Sequence, residues 1–266
     1  MSGSHPLNSQ SMPPAARSDE SDTRRKQLVE VTIDSLAEVG YVGSTLAHIA
    51  SRAGVSPGLV AHYFGDKDGL FEAAFRRLSL RVSEQVKRRL SHARTPRGRI
   101  QAVIDANLAP EEFDRRTGGA WLAFWGQVLH VARLKDIQVV YQRRMLSNLR
   151  YSLKQLVPPD EAKNLATMIA AMIDGVWLRA ALSEWREADS EGARALLTTF
   201  VDGRLQEAKS QRALGAAARS EIRASGAESF RTINPATGET LAEFKCAGCL
   251  WSLLAKMVQT ERLGVQ

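Results

Sequence analysis

The sequence predicts an all-α protein, with an N-terminal helix-turn-helix domain ahead of a longer helical domain. Three observations carry that prediction. Apolar residues recur at helical spacing from residue 24 to about residue 206, with no strand-like alternation and no internal repeat. Glycine and proline cluster in "AGVSPGLVAHYFGDKDGL", residues 53–70, where short helices must stop and start. The segments after residue 97 are long, amphipathic and poor in breakers.

The elements follow in order. Residues 1–22 are rich in Ser, Pro and small polar side chains, and they predict a disordered tail with no apolar core of a secretory leader. "RRKQLVEVTIDSLAEVG" is a first helix, with Leu28, Val31, Ile33, Leu36 and Val39 largely on one side and Gly40 as its stop. In "STLAHIASRAG", Ser44 or Thr45 caps a short helix, Leu46, Ile49 and Ala50 point inward, and Gly54 ends it. Ser56 then caps a third helix whose first position is Pro57, where the missing N–H costs nothing. Asp66 caps a fourth, "KDGLFEAAFRRLSLRVSEQVKRRL". "TGGAWLAFWGQVLHVARL", "DIQVVYQRRMLSNLRYSLKQL", "DEAKNLATMIAAMIDGVWLRAALSEW" and "SEGARALLTTFVDGRLQEA" complete the helical body. Composition then shifts to Ala, Ser, Gly and Arg. The expected organisation is a tail over 1–22, a helix-turn-helix domain over 23–83, a helical domain over 84–208, and a linker with a dissimilar tail over 209–266.

With 266 residues the chain can bury a sizeable core. No apolar run reaches the roughly 18–20 residues that cross a bilayer, so a cytoplasmic protein with no membrane partner is expected. Net charge is +7, and residues 24–99 alone hold 14 Lys and Arg against 7 Asp and Glu. The whole surplus therefore sits at the helix-turn-helix end, as a polyanion-binding surface requires; a solvated helix face is the plainer alternative. Cys246 and Cys249 form C-x-x-C without a second pair or nearby histidines, and read as two reduced thiols with no metal or cofactor. Nowhere does a glycine loop or nucleophile constellation point to an enzyme.

Within residues 53–70, Gly54 permits the tight reversal, Val55 plugs the angle, and Val60 and Phe64 anchor the third helix. Ser56, Pro57, Gly58, Leu59, Ala61 and His62 are left on its open side or N-terminal end, slim enough to approach a major groove. The hydroxyls of Ser44, Thr45, Ser56 and Tyr63, and the ammonium of Lys67, are candidate phosphate contacts. A generic helical hairpin would share the geometry. Thr45, Ile49-Ala50, Ala53-Gly54-Val55-Ser56, Gly58, His62-Tyr63-Phe64, Lys67 and Leu70 together, however, closely resemble the DNA-binding signature of TetR-type repressors. That resemblance implies a homodimer of all-helical subunits, double-stranded operator DNA as partner, a recognition helix over 56–62, and a C-terminal domain that binds a small effector.

Trp121, Phe124 and Trp125 lie at i, i+3 and i+4, and Trp177 follows Asp174 by three residues. Each aromatic is individually more typical of a core. Together they suit a quaternary ammonium, which aromatic faces attract, with Asp174 as counter-charge. Asp174 could equally cap a helix or pair with Arg179 or Arg144. "AWLAFWGQVLH", "RRMLSNLRYSLKQLVP" and "IAAMIDGVWLRAALS" resemble the choline-responsive branch of the TetR family, which represses glycine-betaine synthesis genes. That branch carries Thr where Pro57 stands and Ser where Ala61 stands, so two hydroxyls are missing here. A repressor answering another effector, of multidrug type, would look the same at its helix-turn-helix. In the family the last two long helices, here 160–185 and 190–207, pair across the dimer axis, and Ala170, Ala171, Gly175, Ala180 and Ala181 would allow close approach. Finally, "SFRTINPATGETLAEFKCAG" has strand character around a turn and resembles the N-terminal segment of aldehyde dehydrogenases, so the tail is expected to be a fusion or frameshift relic; a coincidental N-P-A-T-G-E hairpin is the plainer alternative.

Overall fold

The computed structural model describes residues 14–182, 189–224, 230–233 and 240–244. Two units separate by their contacts, residues 1–203 and 204–266. Nine helices and one two-stranded hairpin are found among the described residues.

In the first unit, α1 (Pro14–Gly43) begins inside the stretch assigned by composition to a tail, and breaks at Gly40, whose φ of 65° only glycine adopts freely. Its inward face is Leu28, Val29, Thr32, Ile33, Ser35 and Leu36. Val39, expected on that face, is 45% exposed. Thr32 and Ser35 can be buried there because their polarity is internally satisfied: the Thr32 hydroxyl donates to the Leu28 carbonyl at 2.7 Å, and Ser35 shares a 2.8 Å hydrogen bond with Ser44. α2 (Leu46–Ala53) and α3 (Pro57–Phe64) form the short pair, and α4 (Lys67–His92) leaves it as one unbroken helix across the expected 83/84 boundary.

α5 (Pro96–Asn107), α6 (Arg115–Val128), α7 (Ala132–Leu153) and α8 (Pro159–Leu182) build the second helical layer. The apolar segment read as one stretch through residue 134 turns at residues 129–131, where Leu129 is exposed and the His130 and Val131 amides both donate to the Gln127 carbonyl. α6 lies close against α1: a Cβ on Gly119 would come within 3.0 Å of the Ala37 Cα. Arg116 of α6 ties the same pair, donating to Glu30 at 2.9 Å and also to Asp34. Arg81 of α4 extends this cluster toward Glu30 and the buried Glu112, each at 3.7 Å.

α8 is long and apolar enough to cross a bilayer by length and composition. One face of it, Ala162, Leu165, Ile169, Ile173 and Trp177, is instead buried in the protein core. Ala170 and Ala180, expected at a dimer seam, are buried within the single chain, whereas Ala171 is exposed. α9 (Ser190–Ala224) starts where the Ser190 hydroxyl donates to the Leu108 carbonyl at 2.6 Å, and stays helical past residue 209, where a linker was expected.

In the second unit, β1 (Phe230–Ile233) pairs antiparallel with β2 (Thr240–Phe244), Phe230 opposite Phe244 and Thr232 opposite Ala242. The strand character read in the sequence is thus expressed as a hairpin. Its N-P-A-T-G-E connection, Cys246 and Cys249 lie outside the described residues.

Candidate functional site

The α2–α3 pair is assembled almost wholly by short-range bonds. Thr45 accepts from the His48 amide at 3.1 Å and Ser56 from the Leu59 amide at 3.2 Å, each capping its helix. Gly54, at φ 67°, closes α2: its amide donates to the Ser51 carbonyl at 3.2 Å, and the Val55 amide reaches the Ala50 carbonyl at 3.0 Å. Val60 is fully buried and Phe64 partly so, the Arg25 guanidinium lying 5.2 Å above the Phe64 ring. Asp66 caps α4 through the Gly69 amide at 2.7 Å. Gly69 is required there, because any Cβ would strike the Phe64 carbonyl.

This folding leaves Thr45, Ser56, Pro57, Gly58 and His62 exposed, with Leu59, Ala61 and Tyr63 partly exposed beside them. The capping hydroxyls accept through a lone pair, so each keeps its hydrogen for a phosphate. A Cβ built on Gly58 meets nothing nearer than the Ser56 hydroxyl at 4.0 Å, so glycine there is not demanded by the fold. Two expected phosphate contacts, Ser44 and Lys67, also bond back into the protein. Ser44 is fully buried, its hydroxyl donating to the Gly40 carbonyl at 2.7 Å, so it is a structural residue and not a contact. Lys67 is partly buried, with its ammonium donating to the Tyr41 carbonyl at 2.7 Å and 4.3 Å from the Tyr41 ring centre. Burial lowers its pKa, and one of its three donors is spent on holding α1 to α4.

A second candidate site lies between the later helices. Trp121 and Trp125 of α6, Asp174 and Trp177 of α8, Asn107 of α5, Tyr141 of α7 and Ile173 line one small cavity of about 10 Å³. The Trp121 ring centre is 6.1 Å from that of Trp125 and 5.3 Å from that of Tyr141. Of the five residues expected to act together, four converge. Phe124 is not among the lining residues; it is fully buried, its ring centre 3.9 Å from that of Phe75.

Sequence reasoning missed Asn107 and Tyr141, which organise the cavity. The Tyr141 hydroxyl donates to Asn107 Oδ1 at 2.6 Å, the Asn107 amide donates to the Val103 carbonyl at 2.8 Å, and Trp177 Nε1 donates to the Asn107 carbonyl at 3.2 Å. Nothing in the periodicity of either helix singles them out. Two polar groups on the cavity wall have no partner among the described residues. Trp125 Nε1 is buried without an acceptor. Asp174 makes neither the helix cap nor the Arg144 or Arg179 pair considered from sequence, and burial pushes its carboxyl up to about 6. Its charge and the burial of Tyr141 raise the phenol's pKa in turn, burial being the larger cause. A buried carboxylate without a cation is costly, and a cationic ligand is the simplest remedy.

Residues 28–74 match the bacterial regulatory proteins of the tetR family, and residues 96–206 match the C-terminal domain of BetI-type transcriptional repressors. The chain is 39% identical over 188 residues to HTH-type transcriptional regulator BetI 1 of Chromohalobacter salexigens, covering 70% of this chain and 93% of that one. It is 41% identical over 182 residues to BetI of Klebsiella pneumoniae, covering 67% and 92%. Among solved structures, a transcriptional regulator of Pseudomonas aeruginosa PAO1 aligns with TM-score 0.62 and 26% identity over 70% of this chain and 92% of that one. A regulator of Saccharomonospora viridis solved in complex with choline aligns with TM-score 0.59 and 22% identity over 68% and 96%, a likeness of fold. The chain therefore belongs to the TetR family of bacterial transcriptional repressors, with a BetI-type C-terminal domain, and is a regulator and not an enzyme.

Proposed function

We propose that the protein represses glycine-betaine synthesis genes, choline transport and oxidation among them, and that choline or a related quaternary ammonium controls its hold on the operator. One observation carries the reading: Asp174, partly buried and without a partner among the described residues, lines the same cavity as Trp121, Trp125 and Trp177. A quaternary ammonium cannot donate hydrogen bonds, so aromatic faces and a carboxylate are what recognise it, each cation–π contact contributing roughly 0.5–2 kcal/mol. The kinship with BetI repressors supports the target genes, and the choline-bound regulator of like fold supports the ligand class.

Operator binding runs through Thr45, Ser56, Pro57, Gly58, Leu59, Ala61, His62 and Tyr63, assisted by the remaining donors of Lys67. The chain works in the cytoplasm, where the DNA is. It acts as a homodimer, because two recognition helices must meet half-sites about 34–36 Å apart, or a multiple. The exposed Met168, Leu178 and Leu182 of α8 and Leu196 of α9 support a covered apolar face there. The effector acts by preferring one spacing of the two heads, and shifts the equilibrium by its differential affinity.

Calorimetric titration of the full chain with choline, betaine aldehyde and an unrelated organic cation tests the reading. Saturable binding of the first two, and not of the third, is expected. Equal binding of all three would favour a multidrug-type sensor, and binding of none would refute the effector site.

A further inference from the structure

The cavity between the indoles has room for about one water molecule. Any effector must therefore gain space, and the adjoining space is chemically distinct. A groove of about 320 Å³ between α4, α5 and α7 shares Asn107 and Tyr141 with the cavity, so the 2.6 Å Tyr141–Asn107 hydrogen bond stands in the common wall. That volume lies at the lower end for small-molecule sites. The groove is also lined by Arg144, one helical turn beyond Tyr141, and by Lys87 of α4. Neither makes a hydrogen bond or ion pair among the described residues, and no acidic residue lines the groove.

We propose that the same site takes, more tightly than choline itself, a zwitterion: a quaternary ammonium bearing an anionic group, which spans both compartments. Its onium head lies among the indoles at Asp174, and its anionic end lies in the groove at Arg144 and Lys87. The inference rests on the effector reading above and narrows it. Among the described residues the joined site has a negative end without a cation and a positive end without an anion, and a ligand with the opposite dipole complements both. A bare monocation satisfies only the inner half. Opening the wall breaks the Tyr141–Asn107 bond and frees the Tyr141 hydroxyl to donate to the anionic group. Arg144 suits a planar carboxylate or a phosphate, to which it can donate two bonds.

Calorimetry of the full chain at pH 8 decides the matter with four probes: tetramethylammonium as head alone, choline with a neutral tail, trimethylglycine with a carboxylate, and phosphocholine with a phosphate. At least one of the last two should bind about tenfold more tightly than choline, and which one does identifies the anion. Arg144→Gln should cut the ratio of its affinity to that of tetramethylammonium about fivefold, and Lys87→Gln should lower the same ratio. Both residues are exposed, and using a ratio cancels any general loss of folded protein. If choline matches or exceeds both zwitterions, or the ratio is unchanged in both variants, the inference is wrong while the onium site stands. If no probe binds, the effector reading fails and this inference fails with it.

Discussion

The reading head and the aromatic cavity are built on opposite principles. The head over residues 45–66 is held by caps and turns between residues three to five apart, and its outward side chains are exposed or partly exposed. The cavity draws on four helices, and its Trp177–Asn107 bond joins residues 70 apart. The head is thus a locally assembled surface that a partner must complete. The cavity is a tertiary product that already contains an imbalance, the Asp174 carboxylate, which has no partner among the described residues. Substitutions should consequently separate: those in the head alter DNA binding with little change in stability, and those in the cavity couple stability to ligand.

The largest expected effect is at Trp177. Trp177→Ala removes a nearly buried indole and its bond to the Asn107 carbonyl, and should cost about 3–5 kcal/mol of stability in chemical denaturation. A loss under about 1 kcal/mol would show that the cavity is not integral to the fold. Asp174→Asn should weaken choline binding roughly a hundredfold by calorimetry, because a nearly isosteric amide cannot balance a buried cation.

The same variant sharpens the comparison through pH. The Asp174 carboxyl titrates at about 6 in the folded chain against an ordinary 3.8. The unfolded chain therefore loses this proton first, and the folded state is favoured fully below the ordinary value and progressively less as pH rises through about 6. Asp174→Asn should raise the melting temperature at pH 8, by about 5 °C, and leave it unchanged at pH 4. Choline affinity should fall as pH drops below about 6, approaching tenfold per pH unit, and be flat with pH in the variant. A site kept at a cost in stability is what a binding function predicts.

Smaller effects are expected in the head. Gly58→Ala should hold or raise stability by about 0.5–1 kcal/mol, since a helical glycine is replaced into open space, yet lower operator affinity about tenfold in fluorescence anisotropy. Unchanged affinity would remove the N-terminus of α3 from the groove. Tyr63→Phe should cost only a few-fold, the worth of one phosphate hydrogen bond.

These principles also explain what the sequence could disclose. Thr45, Gly54, Ser56 and Asp66 act on neighbours along the chain, so their roles in capping and turning were readable one by one. Ser44 was misplaced because a hydroxyl beside an interface looks the same whether it faces out or, as here, back to the Gly40 carbonyl, and no local pattern announces the bond of Lys67 to the Tyr41 carbonyl. Trp121 and Trp125 declared a shared face by their spacing. The partnership with Trp177 and Asp174 was reachable only through the chemistry of an aromatic set beside an acid. Asn107 and Tyr141 were invisible, because their importance arises from a bond across 34 residues that no local pattern encodes. Phe124 shares the i, i+3 face, but its ring packs on Phe75 in the core, a neighbour the spacing alone could not name.

The most direct test of the central claim joins the two regions. Fluorescence anisotropy of a labelled duplex from upstream of the protein's own gene should be followed with the wild-type chain and Asp174→Asn, each with and without saturating choline at pH 8. The account predicts that choline changes the operator affinity of the wild-type protein and leaves that of Asp174→Asn unaltered. An equal response in both proteins, or none in the wild type, would contradict it.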